Sequence, residues 1–258
     1  MNEEQGSKRV SDPARCENCG ASGVDAYCPR CGQLRPRPLT VRGLYRGAAN
    51  TLFDVDRGFF HTIRALTSKP GETCRGYVDG RRQPLTGPFK YCFIVVTIYA
   101  LTVNLLGVEI DLPGDTTFDE RERRLFELLT SLMSYLLFFV LIPAAAIQRL
   151  MFRASGDTLG ATYLFCLYVF GHLSWVSALF AATGLLSVEG GVLALLLVNF
   201  AYVAWAMKGF YAHLSLPPVL RAAALTVITS LLVNLVALTI GNLIVLLGWL
   251  EPLANALA

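Results

Sequence analysis

The sequence predicts an all-α polytopic membrane protein with about five transmembrane helices. It also predicts a small N-terminal β-hairpin module built on four cysteines, with amphipathic juxtamembrane helices between module and spans. Three observations carry this reading. Of 258 residues, 54% are hydrophobic and 16% are charged, against about 25% charged in a typical soluble domain. The charge is also segregated: residues 1–90 hold 15 Lys/Arg and 9 Asp/Glu, net +6, whereas residues 91–258 hold 7 and 10, net −3. Finally, four of the seven cysteines form two Cys-x-x-Cys-Gly pairs between Cys16 and Gly32. A basic, polar third followed by a hydrophobic two-thirds excludes an ordinary soluble globular domain.

In chain order, residues 1–15 are polar and read as a disordered tail. They lack an apolar stretch before the first cysteines, so no signal peptide is expected, and the N-terminal third is placed in the reducing cytoplasm. Residues 16–33 are the cysteine module. Thiolates two residues apart converge on one ion when the backbone turns tightly, and Gly20 and Gly32 supply the turns after Cys16/Cys19 and Cys28/Cys31. Two such turns make a closed tetrahedral four-sulfur site, the geometry of structural Zn²⁺ in a zinc-ribbon-like module. Sulfur donors also suit iron or an iron–sulfur cluster, which the spacing leaves open. Four ligands leave no position for a substrate, so the site is read as structural. A redox pair would want a βαβ context that this stretch lacks.

Residues 34–88 form a basic juxtamembrane region. Leu34-Arg-Pro-Arg-Pro38 favours extended backbone. From Thr40, a candidate cap, Val41, Leu44, Ala48, Leu52, Val55, Phe59, Ile63 and Leu66 recur at helical spacing, in two pieces ending at Lys69-Pro70-Gly71. A short helix from Pro70 to Asp79, closed by Gly80, follows. Arg42, Arg46, Arg57, Arg64, Arg75, Arg81 and Arg82 suit the anionic inner leaflet of a lipid bilayer, where each basic residue contributes about 1 kcal/mol. The alternative is that these helices pack on the membrane bundle with the arginines as a solvated face. Nucleic acid is not an expected partner, because Tyr27 and Arg30 are the module's only aromatic or basic residues between Cys16 and Cys31.

Residues 89–258 form the transmembrane domain. Crossing about 30 Å of hydrocarbon takes about 20 apolar residues, and five segments qualify: 89–108, 125–147, 159–182, 190–207 and 222–248. Loops 148–158 and 208–221 carry Arg149, Arg153, Lys208 and Arg221, which places the N-terminus inside and the C-terminus outside. Arg121, Arg123 and Arg124 in the outer loop count against this. Trp205 and Trp249 suit interfacial anchoring. His172, Asn199 and Asn234 fall near the centres of the third, fourth and fifth spans, a candidate midplane polar site or ordinary interhelical hydrogen bonds. Cys74, Cys92 and Cys166 read as small buried hydrophobes, and His61 and His213 as structural or interfacial. No GxSxG, HExxH or GxxxxGK[ST] pattern occurs, so no catalytic residue is assigned.

The pattern CENCG…YCPRCGQ, followed by FDVDRGFFHTIRALTSKPGETCRGYVDGRRQPLTGPFKY, resembles a family of functionally uncharacterised bacterial inner-membrane proteins. Its members carry an N-terminal four-cysteine zinc-ribbon-like motif before several membrane helices. The resemblance covers residues 16–91. It implies metal ligation by Cys16, Cys19, Cys28 and Cys31, and marks Gly32-Gln33, Pro70-Gly71 and Gly80-Arg81-Arg82 as family-like positions. It implies an architecture and a bacterial cytoplasmic membrane, but no activity. The function expected is a binding or scaffold protein at the inner membrane face, its zinc module docking a cytosolic protein partner. The alternatives are a small transporter using the midplane groups, or a membrane enzyme whose arginines hold a lipid-linked phosphate.

Overall fold

The computed structural model describes residues 15–22, 26–34, 39–44, 58–106, 138–188 and 190–212. Residues 1–14 of the tail, the linker after Leu34, the outer loop and the fifth span at 222–248 lie outside these residues. So do Arg46, Arg57, His213 and Asn234. Among the described residues the fold is helical: α1 (Gly58–Ser68), α2 (Pro70–Val78), α3 (Pro88–Leu106), α4 (Phe138–Met151), α5 (Leu159–Ala182) and α6 (Gly191–Phe210).

Local chemistry sets the helix ends. Thr40 Oγ1 accepts from Gly43 N at 3.1 Å, opening a helical turn over 41–44 where a cap is expected. The start of α2 has Pro70, which needs no N–H there, and Glu72, which suits the helix dipole. Its end closes through Arg81 N to Gly76 O at 2.8 Å. Thr158 caps α5 by accepting from Ala161 N at 3.2 Å.

α3, α5 and α6 are each long and apolar enough to cross a membrane, by length and composition. They correspond to the first, third and fourth expected spans. Of the second, the structure describes the portion from Phe138 onward. α5 is the central helix: every residue from Gly160 to Val169 is buried, as expected for a helix apolar on all sides. α3 lies along it, with Gly171 against Cys92 Cα and the Tyr91 ring. In α6, Tyr202, Val203, Ala206, Met207 and Phe210 turn inward, while Val192, Leu193, Leu196 and Leu197 stay exposed.

The juxtamembrane helices pack on this bundle. Phe59 and Leu66 of α1 and Cys74 of α2 are buried in one cluster with Tyr91, Leu164 and Phe165. Where α2 meets α6, Gly71 lies against Ala206 O, Phe210 N and Gly209 Cα. A side chain on either glycine would hold these backbones apart. The packing face expected as the alternative to membrane contact is therefore present.

Candidate metal centre and the buried polar groups

Each cysteine pair sits on its own closed turn. Gly20 N donates to Cys16 O and Cys16 N to Ala21 O, both at 2.8 Å; Gly32 N donates to Cys28 O at 2.9 Å and Cys28 N to Gln33 O at 2.8 Å. Gly20 and Gly32 have φ of 71° and 69°, left-handed values that glycine adopts without a Cβ penalty. The antiparallel bridges Arg15↔Ser22 and Tyr27↔Leu34 each close one turn on itself. No strand joins the two turns among the described residues, so the expected hairpin is not seen there: the pairing is local to each turn.

All four Sγ atoms lie within 4.8 Å of one another. Cys16 and Cys31 approach to 3.7 Å and Cys19 and Cys28 to 3.6 Å, and all four are free thiols. Sulfurs about 2.3 Å from one tetrahedral ion stand about 3.8 Å apart, so the donor set fits such an ion. The thiols are electrostatically unequal. Cys28 is pulled down to about 6, first by the Cys31 backbone N–H, with those of Arg30 and neighbouring thiols assisting. At Cys19 the Ala21 backbone hydrogen bond favours the thiolate, but desolvation and the other three sulfurs outweigh it and push the thiol up to about 11. Four thiolates this close repel, and a bound cation is what would hold all four ionised.

The module is fastened to the helical body by Gln33, which is 3% exposed. Its Nε2 donates to Gly80 O at 2.8 Å, and its Oε1 accepts from Arg82 N at 3.0 Å and Gln83 N at 3.2 Å. This links two of the segments marked by the resemblance.

The expected surface arginines divide. Arg42, Arg64 and Arg81 are exposed. Arg75 instead turns inward. Its guanidinium forms a two-pronged pair with Asp157 at 2.7 and 3.0 Å and donates to Phe210 O at 3.0 and 2.9 Å. It also lies 4.0 Å from the centroid of the Phe210 ring. Burial works against its charge, but Asp157 outweighs this and raises its proton affinity. Arg82 is half-buried, with its guanidinium 5.4 Å from the Tyr77 ring centroid. Asp157 is a residue that sequence reasoning did not single out. It stands 82 positions from Arg75, and no local pattern relates them.

Of the expected midplane groups, His172 is buried. Tyr91 Oη lies 2.9 Å from its Nδ1 and Thr67 Oγ1 lies 3.2 Å from its Nε2, and the ring stacks on Tyr202 at 5.0 Å. Asn199 lines a separate cavity of about 250 Å³ with Val96, Tyr99, Phe170, Leu173, Ser174 and Ser177. His172 is thus engaged by α1 and α3 rather than by Asn199. His172→Phe would keep the stack and remove both hydrogen bonds. Interhelical hydrogen bonds in membranes contribute roughly 0.6–2 kcal/mol, so a loss of about 1 kcal/mol is expected in reversible unfolding in detergent. Cys74, Cys92 and Cys166 are buried free thiols, as expected, and burial pushes the Cys74 thiol up.

These features define a class: a chain, helical among the described residues, with three helices long and apolar enough to cross a membrane and a four-cysteine cluster suited to a metal. A family model described as "Protein of unknown function (DUF3667)" matches residues 56–100. That stretch contains α1, α2, the loop held by Gln33 and most of α3; Cys16, Cys19, Cys28 and Cys31 lie outside it. No curated protein and no solved structure matches the chain.

Proposed function

We propose that the chain is a binding or scaffold protein of the bacterial cytoplasmic membrane, with a structural Zn²⁺ held by Cys16, Cys19, Cys28 and Cys31 in a zinc-ribbon-like module at the inner face. The observation that carries this reading is the closed set of four sulfurs within 4.8 Å. A closed set gives a metal no open position for substrate, and the module then serves as a shaped surface for a cytosolic protein. Exposed Arg42, Arg64 and Arg81 support contact with an anionic inner leaflet. Five spans would put the N-terminus inside and the C-terminus outside.

The test is metal analysis and affinity capture on the full-length chain, extracted from its membrane. About one zinc per chain is expected, falling to a small fraction in Cys16→Ser. The intact chain should retain a partner that Cys16→Ser loses. An unchanged partner set, with zinc loss verified, would reject the docking role.

A further inference from the structure

We propose that the cysteine module is a metal-dependent latch on the loop leading into the first span, with the Gln33 carboxamide as its bolt. The inference rests on the metal reading above and adds what the metal would control. Gln33 is the second residue after Cys31, and its main chain belongs to the metal turn: its carbonyl accepts from Cys28 N at 2.8 Å. Its side chain belongs to the loop. One N–H reaches Gly80 O, and the oxygen takes the N–H groups of Arg82 and Gln83. With one donor group opposite a carbonyl and one acceptor opposite two N–H groups, only one amide orientation satisfies all three bonds.

The far half of the loop is held separately. Thr86 N donates to Thr62 Oγ1 at 2.8 Å, and Thr86 O accepts from Tyr168 Oη at 2.6 Å. These anchors come from α1 and α5 and owe nothing to the cysteines. Gly80 N and Arg81 N close onto α2 through Tyr77 O and Gly76 O, but the Arg82 and Gln83 amides depend on Gln33 in a way that Thr86 does not. A segment with so few apolar residues has little besides metal to hold its turns. Metal loss would therefore release the position of Gln33, and with it the Arg82 and Gln83 amides, while the helical body stays assembled.

Hydrogen exchange on the full-length chain in detergent micelles tests this, with zinc as the metal and trypsin cleavage after Arg82 as a second readout. In the zinc-loaded chain, the Arg82 and Gln83 amides should be protected. Removing zinc with a chelator should raise their exchange by about tenfold or more, and leave α5 from Gly160 to Val169 protected. Gln33→Ala should produce the same release with zinc still bound. Gln33→Glu, which keeps the acceptor but sets an oxygen against Gly80 O, should release the loop less. Trypsin cleavage should follow the same order.

If zinc is bound but neither chelation nor Gln33→Ala alters the loop, the latch is overturned and the metal reading stands. Release by Gln33→Ala without release by chelation also overturns it, because the hold would not depend on metal. A wild-type chain that binds no zinc defeats both readings. Should Gln33→Ala unfold, seen as lost protection in α5, chelation of the wild-type chain decides.

Discussion

Gly71→Ala is expected to cost about 3 kcal/mol, the upper end of the usual range for overpacking. A methyl group there would meet Ala206 O, Phe210 N and Gly209 Cα. All three are main-chain atoms of one helix, so none can rotate aside as a side chain can. Relief requires α2 and α6 to move apart, which would also draw Arg75 away from Phe210 O. Gly76→Ala is the matched control. Its methyl would meet the Arg81 guanidinium at 3.2 Å, the mobile end of an exposed side chain, and alanine favours the helix by about 1 kcal/mol over glycine. Thermal unfolding in detergent should show a large loss for Gly71→Ala and little or none for Gly76→Ala. Equal losses would show that the close approach does not hold α2 in place.

Arg75→Met is expected to cost about 2 kcal/mol. Breaking a fully buried ion pair costs roughly 3–5 kcal/mol because a charge is left without its partner. The figure is reduced here because the Arg75 side chain is 22% exposed, against 7% for Asp157. Methionine keeps much of the aliphatic volume, so the loss would isolate the pair and the Phe210 carbonyl bonds. Arg75→Lys should recover only part, since an ammonium cannot bond both carboxylate oxygens and the carbonyl in one plane. Combining Arg75→Met with Asp157→Asn should cost less than the sum of the two single changes. Strict additivity in a denaturation series would show that the two residues do not act together.

Some of this architecture was legible because its causes are local. The third expected span, 159–182, coincides with the helix α5, Leu159–Ala182. Its start follows a polar Gly-Asp-Thr stretch and its end precedes Thr183-Gly184, so cap and break are both written in neighbouring residues. The four cysteines were legible because two thiolates per turn is a short-range requirement. Gln33 and Arg75 were not legible as positioning groups. The partners of Gln33 stand 47–50 residues away and those of Arg75 stand 82 and 135 away, and composition cannot tell an arginine that faces lipid headgroups from one that caps a helix end. His172 was found as a polar residue in an apolar span, but its partners Thr67 and Tyr91 come from elements that the depth argument did not consider.

The burial of α5 has a consequence for biogenesis. Tyr163 donates to Phe138 O, Cys166 to Gln148 Oε1 and Tyr168 to Thr86 O, while His172 meets Thr67 and Tyr91. Left alone in lipid, a helix carrying these groups would have no water to satisfy them. Every one of these partners precedes α5 in the chain. By the time a ribosome delivers α5, the groups that meet its hydroxyls, thiol and imidazole have already been made. If α5 is inserted into a bilayer, the nascent helix would meet a half-built protein rather than bare hydrocarbon.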